Sequence, residues 1–175
     1  MLEKQVVRLA AVGDLHIKKS SQGALQPLLA PVNDQADVLL LCGDLTDYGL
    51  PEEAAILAKE LTSVVRIPIL GVLGNHDYES GQHPEVCRIL SEAGVKLLDG
   101  EATEVHGVGF AGAKGFIGGF GRAELDPFGE AAIKTFVDES AKEARKLEHQ
   151  LRTLRTDRIF AVLHYAPIAE TVAGE

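Results

Sequence analysis

Asp14 and His16 stand two residues apart in Gly13-Asp14-Leu15-His16, and polar tips of the same kind recur along the chain. One is Gly43-Asp44-Leu45-Thr46-Asp47, another is Gly74-Asn75-His76-Asp77, and the last is His164. Carboxylates, imidazoles and amides are costly to bury unless they are paired or bind metal. A donor set of oxygen and imidazole nitrogen suits Mn, Fe, Zn or a similar first-row metal. In an extended chain Asp14 and His16 point to the same side, so one cation can take both. Glycine at 13, 43 and 74 lets the backbone turn tightly beside them. Each fragment alone is a weak signal: Asp-x-His occurs by chance, and Gly-Asn-His-Asp can be a simple turn.

The setting strengthens the signal. Val6 to Val12, Val38 to Cys42 and Ile67 to Leu73 are apolar runs that lead straight into these tips, and they read as parallel strands buried on both faces. Helical stretches lie between them. "GALQPLLAPVNDQ" is broken by Pro27 and Pro31, whereas "PEEAAILAKELTSVV" opens on Pro51 with Glu52 and Glu53 in its first turn. "HPEVCRILSEAG" reads as a further helix stopped by Gly94. Strand–helix alternation implies an α/β sheet. Ligands bind such a sheet beyond the carboxyl ends of its strands, so all four tips are expected at one edge.

"VKLLDG" and "ATEVHGVGFAGA" read as two short strands around a turn at Asp99-Gly100, and the glycines from Gly107 to Gly121 as a long loop. From Glu130 to Arg155, Ile133, Val137, Ala141, Ala144, Leu147, Leu151 and Leu154 recur at helical spacing, which predicts a helix laid on a sheet. Ile159 to Leu163 is the last strand, and it ends in His164.

The chain of 175 residues is long enough for one domain, spanning 1–175. A net charge of −9 gives little attraction to a phosphate backbone, so nucleic acid is not implied as a partner. No apolar run approaches the length of a membrane span. The first residues lack the apolar core of a signal peptide. Cys42 and Cys87 have no metal-like spacing and read as reduced, so a cytoplasmic location is expected.

"GDLH", "GDLTD", "GNHD" and "LHYAP" resemble, in order, the first four blocks of the calcineurin-like metallophosphoesterases. Those blocks are GD-x-H, GD-x-x-D, GNH followed by Asp or Glu, and a single His after a strand. The resemblance runs from 13 to 164. It implies an α/β fold of the αββα type, two packed sheets flanked by helices, and a site for two divalent transition-metal ions, Mn, Fe or Zn. Asp14 and His16 resemble ligands of one ion, Asn75 and His164 resemble ligands of the other, and Asp44 resembles the carboxylate shared by both. His76 resembles a catalytic histidine that is not a ligand, with Asp77 holding its ring and Asp47 supporting the loop. The implied reaction is hydrolysis of a phosphomonoester or phosphodiester by a metal-activated hydroxide.

The fifth block of that family, GH-x-H, is absent from these 175 residues. His83, His106 and His149 read as ordinary histidines rather than substitutes. A truncated product, with the C-terminal part of the fold missing, is therefore expected. The other expectation is a short protein whose ligands are completed by a partner or a second copy. Either leaves an open sheet edge near Ile159 to Leu163 and favours a homo-oligomer. Lys114 and Arg122 are candidate phosphate contacts. The competing reading is a non-catalytic metal-binding domain. A nucleotide-binding α/β protein is disfavoured, because neither GxGxxG nor a Gly-rich loop ending in Lys-Ser/Thr is present.

Overall fold

The computed structural model describes residues 6–172. Four parallel strands form the first sheet in the order β1-β2-β3-β4: Leu9–Val12, Val38–Cys42, Ile69–Val72 and Val95–Leu97. Between β1 and β2 lie two short helices, α1 (Gln26–Leu29) and α2 (Val32–Gln35), divided where Pro31 ends the first and starts the second. Helix α3 (Pro51–Val64) joins β2 to β3, and α4 (His83–Glu92) joins β3 to β4. Pro51 pre-sets the first turn of α3, and the buried Glu53 carboxylate accepts the Tyr48 and Leu50 amides at 2.9 and 3.3 Å.

Parallel crossovers share one hand, so successive strands added in the same direction put every connecting helix on one face. The other face needs a different cover. It is supplied by a second sheet, β5-β6-β7: Thr103–Val105, Val108–Ala113 and Ile159–Leu163. The residues of β2 divide accordingly. Leu39 and Leu41 pack towards the helices with Leu57, Leu61 and Leu90. Val38 and Leu40 pack between the sheets with Leu70, Val72, Phe110 and Val162. A run of four apolar residues is thus two alternating faces, both buried. Helix α5 (Ala131–Thr153) covers the outside of the second sheet, and the layers read helices, sheet, sheet, helix, as expected.

Three expectations change. β4 pairs in parallel with β3, so Asp99-Gly100 is not a hairpin turn but the crossing from one sheet to the other. The hairpin lies inside "ATEVHGVGFAGA", where His106 and Gly107 take φ of 53° and 75° between β5 and β6. Glycines 109 and 112 therefore belong to β6, and the loop starts only after Ala113. Third, the apolar stripe of α5 is half covered. Its firmest anchor is a polar side chain, Gln150, 1% exposed, whose amide bonds both the NH and the carbonyl of Gly112 at 2.9 and 2.6 Å. Towards the helix start, Ile133 and Phe136 are exposed, beside an apolar groove of about 810 Å³ lined by Phe116, Val137, Leu147 and Leu163.

Candidate metal centre

The tips of β1 and β2 continue their ladder as paired loops. Asp14 NH donates to the Gly43 carbonyl at 3.0 Å, His16 NH to Asp44 at 3.0 Å and Ile17 NH to Leu45 at 3.1 Å. The loops are not extended: Asp14, His16 and Asp44 have φ of 53°, 43° and 47°, beside Gly43 at 89°. Non-glycine residues rarely take this conformation, and where they do it clusters at functional sites. The turns, rather than an alternating strand, bring Asp14 and His16 together, with His16 Nε2 4.0 Å from Asp14 Oδ1.

Asp44, nearly buried, stands at the middle. Its Oδ2 is 3.7 Å from His16 Nε2, and its Oδ1 is 3.4 Å from His164 Nε2. Oδ1 also accepts the His76 amide at 2.9 Å, which fixes the carboxylate. His164 arrives from β7, parallel to β6, so its tip meets the same edge as the first sheet. Its Nδ1 lies 3.1 Å from the Cys42 carbonyl. A carbonyl only accepts, so this contact needs a hydrogen on Nδ1; Nε2 faces the Asp44 and Asn75 oxygens, and its lone pair would serve a metal ion held among them. Asn75 Oδ1 lies 3.0 Å from that Nε2.

A second cluster adjoins the first. His16 Nδ1 lies 3.4 Å from Asp47 Oδ1, and the His16 and His76 rings meet edge to face with centroids 4.5 Å apart. Within 4.8 Å, one ligand atom each is offered by Asp14, Asp44 and His164, and by His16, Asp47 and His76. The donors are carboxylate and imidazole in both groups, the chemistry that a first-row divalent ion requires. The residues present therefore fit the binding of divalent metal, with two adjoining groups of donors. Among the described residues, His83, His106 and His149 belong to neither group. His83 stacks on Tyr78 at 4.3 Å, His106 turns the β5–β6 hairpin, and His149 lies on α5.

Asp77 is not where it was expected. It is fully buried, and its two oxygens accept the amides of Leu45, Thr46 and Gly74 and the Thr46 hydroxyl at 2.6–3.1 Å. It ties the β2 tip to the β3 tip. The His76 ring is held instead by the Asp47 carbonyl, 2.7 Å from Nδ1. That bond raises the His76 pKa above the ordinary histidine value, helped by the Asp44, Asp47 and Glu79 carboxylates and opposed by desolvation. Asp47 also takes a larger part than loop support, since its carboxylate faces His16 on one side and Lys18 on the other, at 3.4 and 3.5 Å. In sequence, Asp47 and Asp77 each close a glycine-led block, and only the hydrogen bonds separate their roles.

A sequence model described as calcineurin-like phosphoesterase matches residues 7–167. Comparison with curated proteins finds no match.

Proposed function

The chain belongs to the calcineurin-like phosphoesterase family, and on that premise we propose that it hydrolyses a phosphomonoester or phosphodiester at a centre for two divalent transition-metal ions. One observation above all supports this reading: the two oxygens of Asp44 are divided between His16 and His164, which come from different sheets. Asp14, His16 and Asp44 would hold one ion, and Asp44, Asn75 and His164 the other. When bound, such ions stabilise charge on phosphoryl oxygens and lower the pKa of a water towards neutrality.

The chain's own residues supply the rest. His76 is locked by the Asp47 carbonyl through Nδ1, so Nε2 is the atom available to a substrate. The Asp47 carbonyl raises the proton affinity of the ring, which favours Nε2 as the donor of a proton to the departing oxygen. Asp77 acts at a distance, by fixing the two loops that carry Asp44 and Asn75. The proximity of His16, Asp47 and His76 favours a second reading, in which Asp47 and His76 complete the coordination of the ion nearest His16.

We place the protein in the cytoplasm, a reading supported by its two free cysteines. Among the described residues no helix is long and apolar enough to cross a membrane.

The test is hydrolysis of p-nitrophenyl phosphate and bis-p-nitrophenyl phosphate with and without Mn²⁺, Zn²⁺ or Fe²⁺. Metal-dependent turnover that Asp44→Asn removes is expected. Turnover without metal, or untouched by that change, sinks the dinuclear reading. Tight metal uptake with no turnover on either ester favours a non-catalytic metal-binding domain.

A further inference from the structure

Lys114 follows β6 directly and is half-buried. Its ammonium lies 4.9 Å from the ring centre of Phe116, 5.3 Å from Tyr165 and 5.6 Å from Tyr78. All three are within the reach of cation–π attraction. Tyr78 ends the turn that holds Asn75 and His76, and its amide donates to the Asn75 carbonyl at 3.1 Å. Tyr165 follows His164. The Lys114 carbonyl accepts both the His164 and Tyr165 amides, at 3.3 and 3.0 Å.

We infer that Lys114 is a positioning residue for the metal centre. It is a cationic staple that fastens the Asn75–His76 turn of the first sheet to the His164 tip of the second. This rests on the proposed metal function.

Three observations carry it. The residue grips the second sheet's tip by its backbone and the first sheet's turn by its side chain, so it spans the junction that Asn75 and His164 cross. The ammonium is engaged rather than free: Nζ donates to the Gly115 carbonyl at 2.7 Å. The side chain is partly buried, where a charge loses hydration. An apolar side chain of equal length would fill the same space without that cost, so the retained charge is read as serving the three rings. The Gly115 turn beside it is equally constrained, with φ of 78° and its amide on Glu143 Oε2 at 3.0 Å.

His16 and its partners Asp14 and Asp47 lie on the β1 and β2 loops and do not depend on the staple. Lys114→Met, which keeps the stem and removes the charge, should therefore act on one ion only. Calorimetric titration with Mn²⁺ is expected to show one of two binding steps weakened about tenfold and the other little changed, the size of effect known for outer-shell partners. In metal-free protein, amide exchange at His164 and Tyr165 should quicken while that at Ile17 does not, as local opening predicts. Lys114→Arg should restore both readouts. Two steps weakened together with a general rise in exchange would make Lys114 merely structural. Unchanged binding and exchange would overturn the staple outright. If the unaltered protein takes up no Mn²⁺, the metal function fails instead, and the exchange rates alone decide the staple.

Discussion

His164 Nε2 lies 3.0 Å from Asn75 Oδ1, although the two residues are 89 apart in sequence. One side chain ends the third strand of a parallel sheet, and the other ends the last strand of a separate sheet packed against it. Asp44 lies beneath both, with Oδ1 3.4 Å from the same nitrogen. The approach is so close that any side chain added between these tips must displace a candidate ligand.

Gly74 and Gly43 are the two places where that holds most strictly. A Cβ on Gly74 would overlap Asp44 Oδ1 and its amide nitrogen, and one on Gly43 would sit 2.5 Å from His164 Nδ1 at a φ of 89°. Gly74→Ala and Gly43→Ala should each cost about 2 kcal/mol of stability and at least tenfold in metal affinity. Gly81→Ala is the control: φ is 72° but nothing lies within 4 Å. It should cost about 1 kcal/mol and leave Mn²⁺ binding as it was. Equal losses in calorimetry for all three would refute the crowding explanation.

Asp77→Asn tests whether that carboxylate is architectural. Its oxygens accept four hydrogen bonds out of contact with water, and an amide nitrogen cannot accept. A loss of about 3 kcal/mol is expected, read as a fall in Tm of roughly 6–12 °C for a chain of this size. The pH dependence of any hydrolysis should keep its shape, because the His76 ring is held by Asp47. A normal Tm with a shifted pH profile would return Asp77 to the catalytic role.

β7 is an edge strand of its sheet, with Ile159 and Phe160 43% and 47% exposed. An open apolar edge invites pairing with another chain. The protein is expected to self-associate, and Phe160→Lys to shift it towards monomer in sedimentation velocity. A monomer before the change, at tens of micromolar, would dispose of the expectation.

A small, salt-sensitive part of the acid stability follows from three surface carboxyls. Arg88 holds Glu85, Lys96 holds Glu101, and Lys142 with Arg145 holds Asp138, each below its ordinary carboxylate value. A folded-state pKa that is lowered gives stability present above the unfolded value and lost as pH falls through the folded one. Tm should thus hold steady down to about pH 5 and decline below about pH 4. These pairs are exposed, so 1 M salt should shrink their part of the effect. Glu85→Gln should lessen the salt-sensitive part, and a decline identical to that of the unaltered protein would remove Glu85 from the account.

Much of the centre is legible in the sequence because each donor follows an apolar run that forms a strand, fully buried in β3, nearly so in β2 and only partly covered in β1 and β7. Val38 to Leu41 carries its apolar residues without a break, and Asp44 comes at once after it. The order of the tips then predicts one shared edge, and the structure brings Asp14, His16, Asp44, Asn75 and His164 together. What stays hidden is conformational. Nothing in Gly-Asp-Leu-His announces positive φ at Asp14 and His16. Asp99-Gly100 is a strong turn signal yet marks a passage between sheets, whereas His106-Gly107, a weaker one, makes the hairpin. The stripe on α5 shows by its period that one face is apolar, but periodicity does not say how much of that face a neighbour covers.

The division of the site between two sheets has a kinetic meaning. The first sheet grows by successive parallel units, and β5 with β6 forms a local hairpin. β7 must then cross the length of α5 to reach β6, and only its arrival brings His164 to Asp44. Contacts of such long sequence separation form late, since the loop must be closed before they repay its entropy. Full metal uptake during refolding should therefore lag behind formation of the first sheet's core, and a stopped-flow trace of Mn²⁺ binding would report the docking of the second sheet.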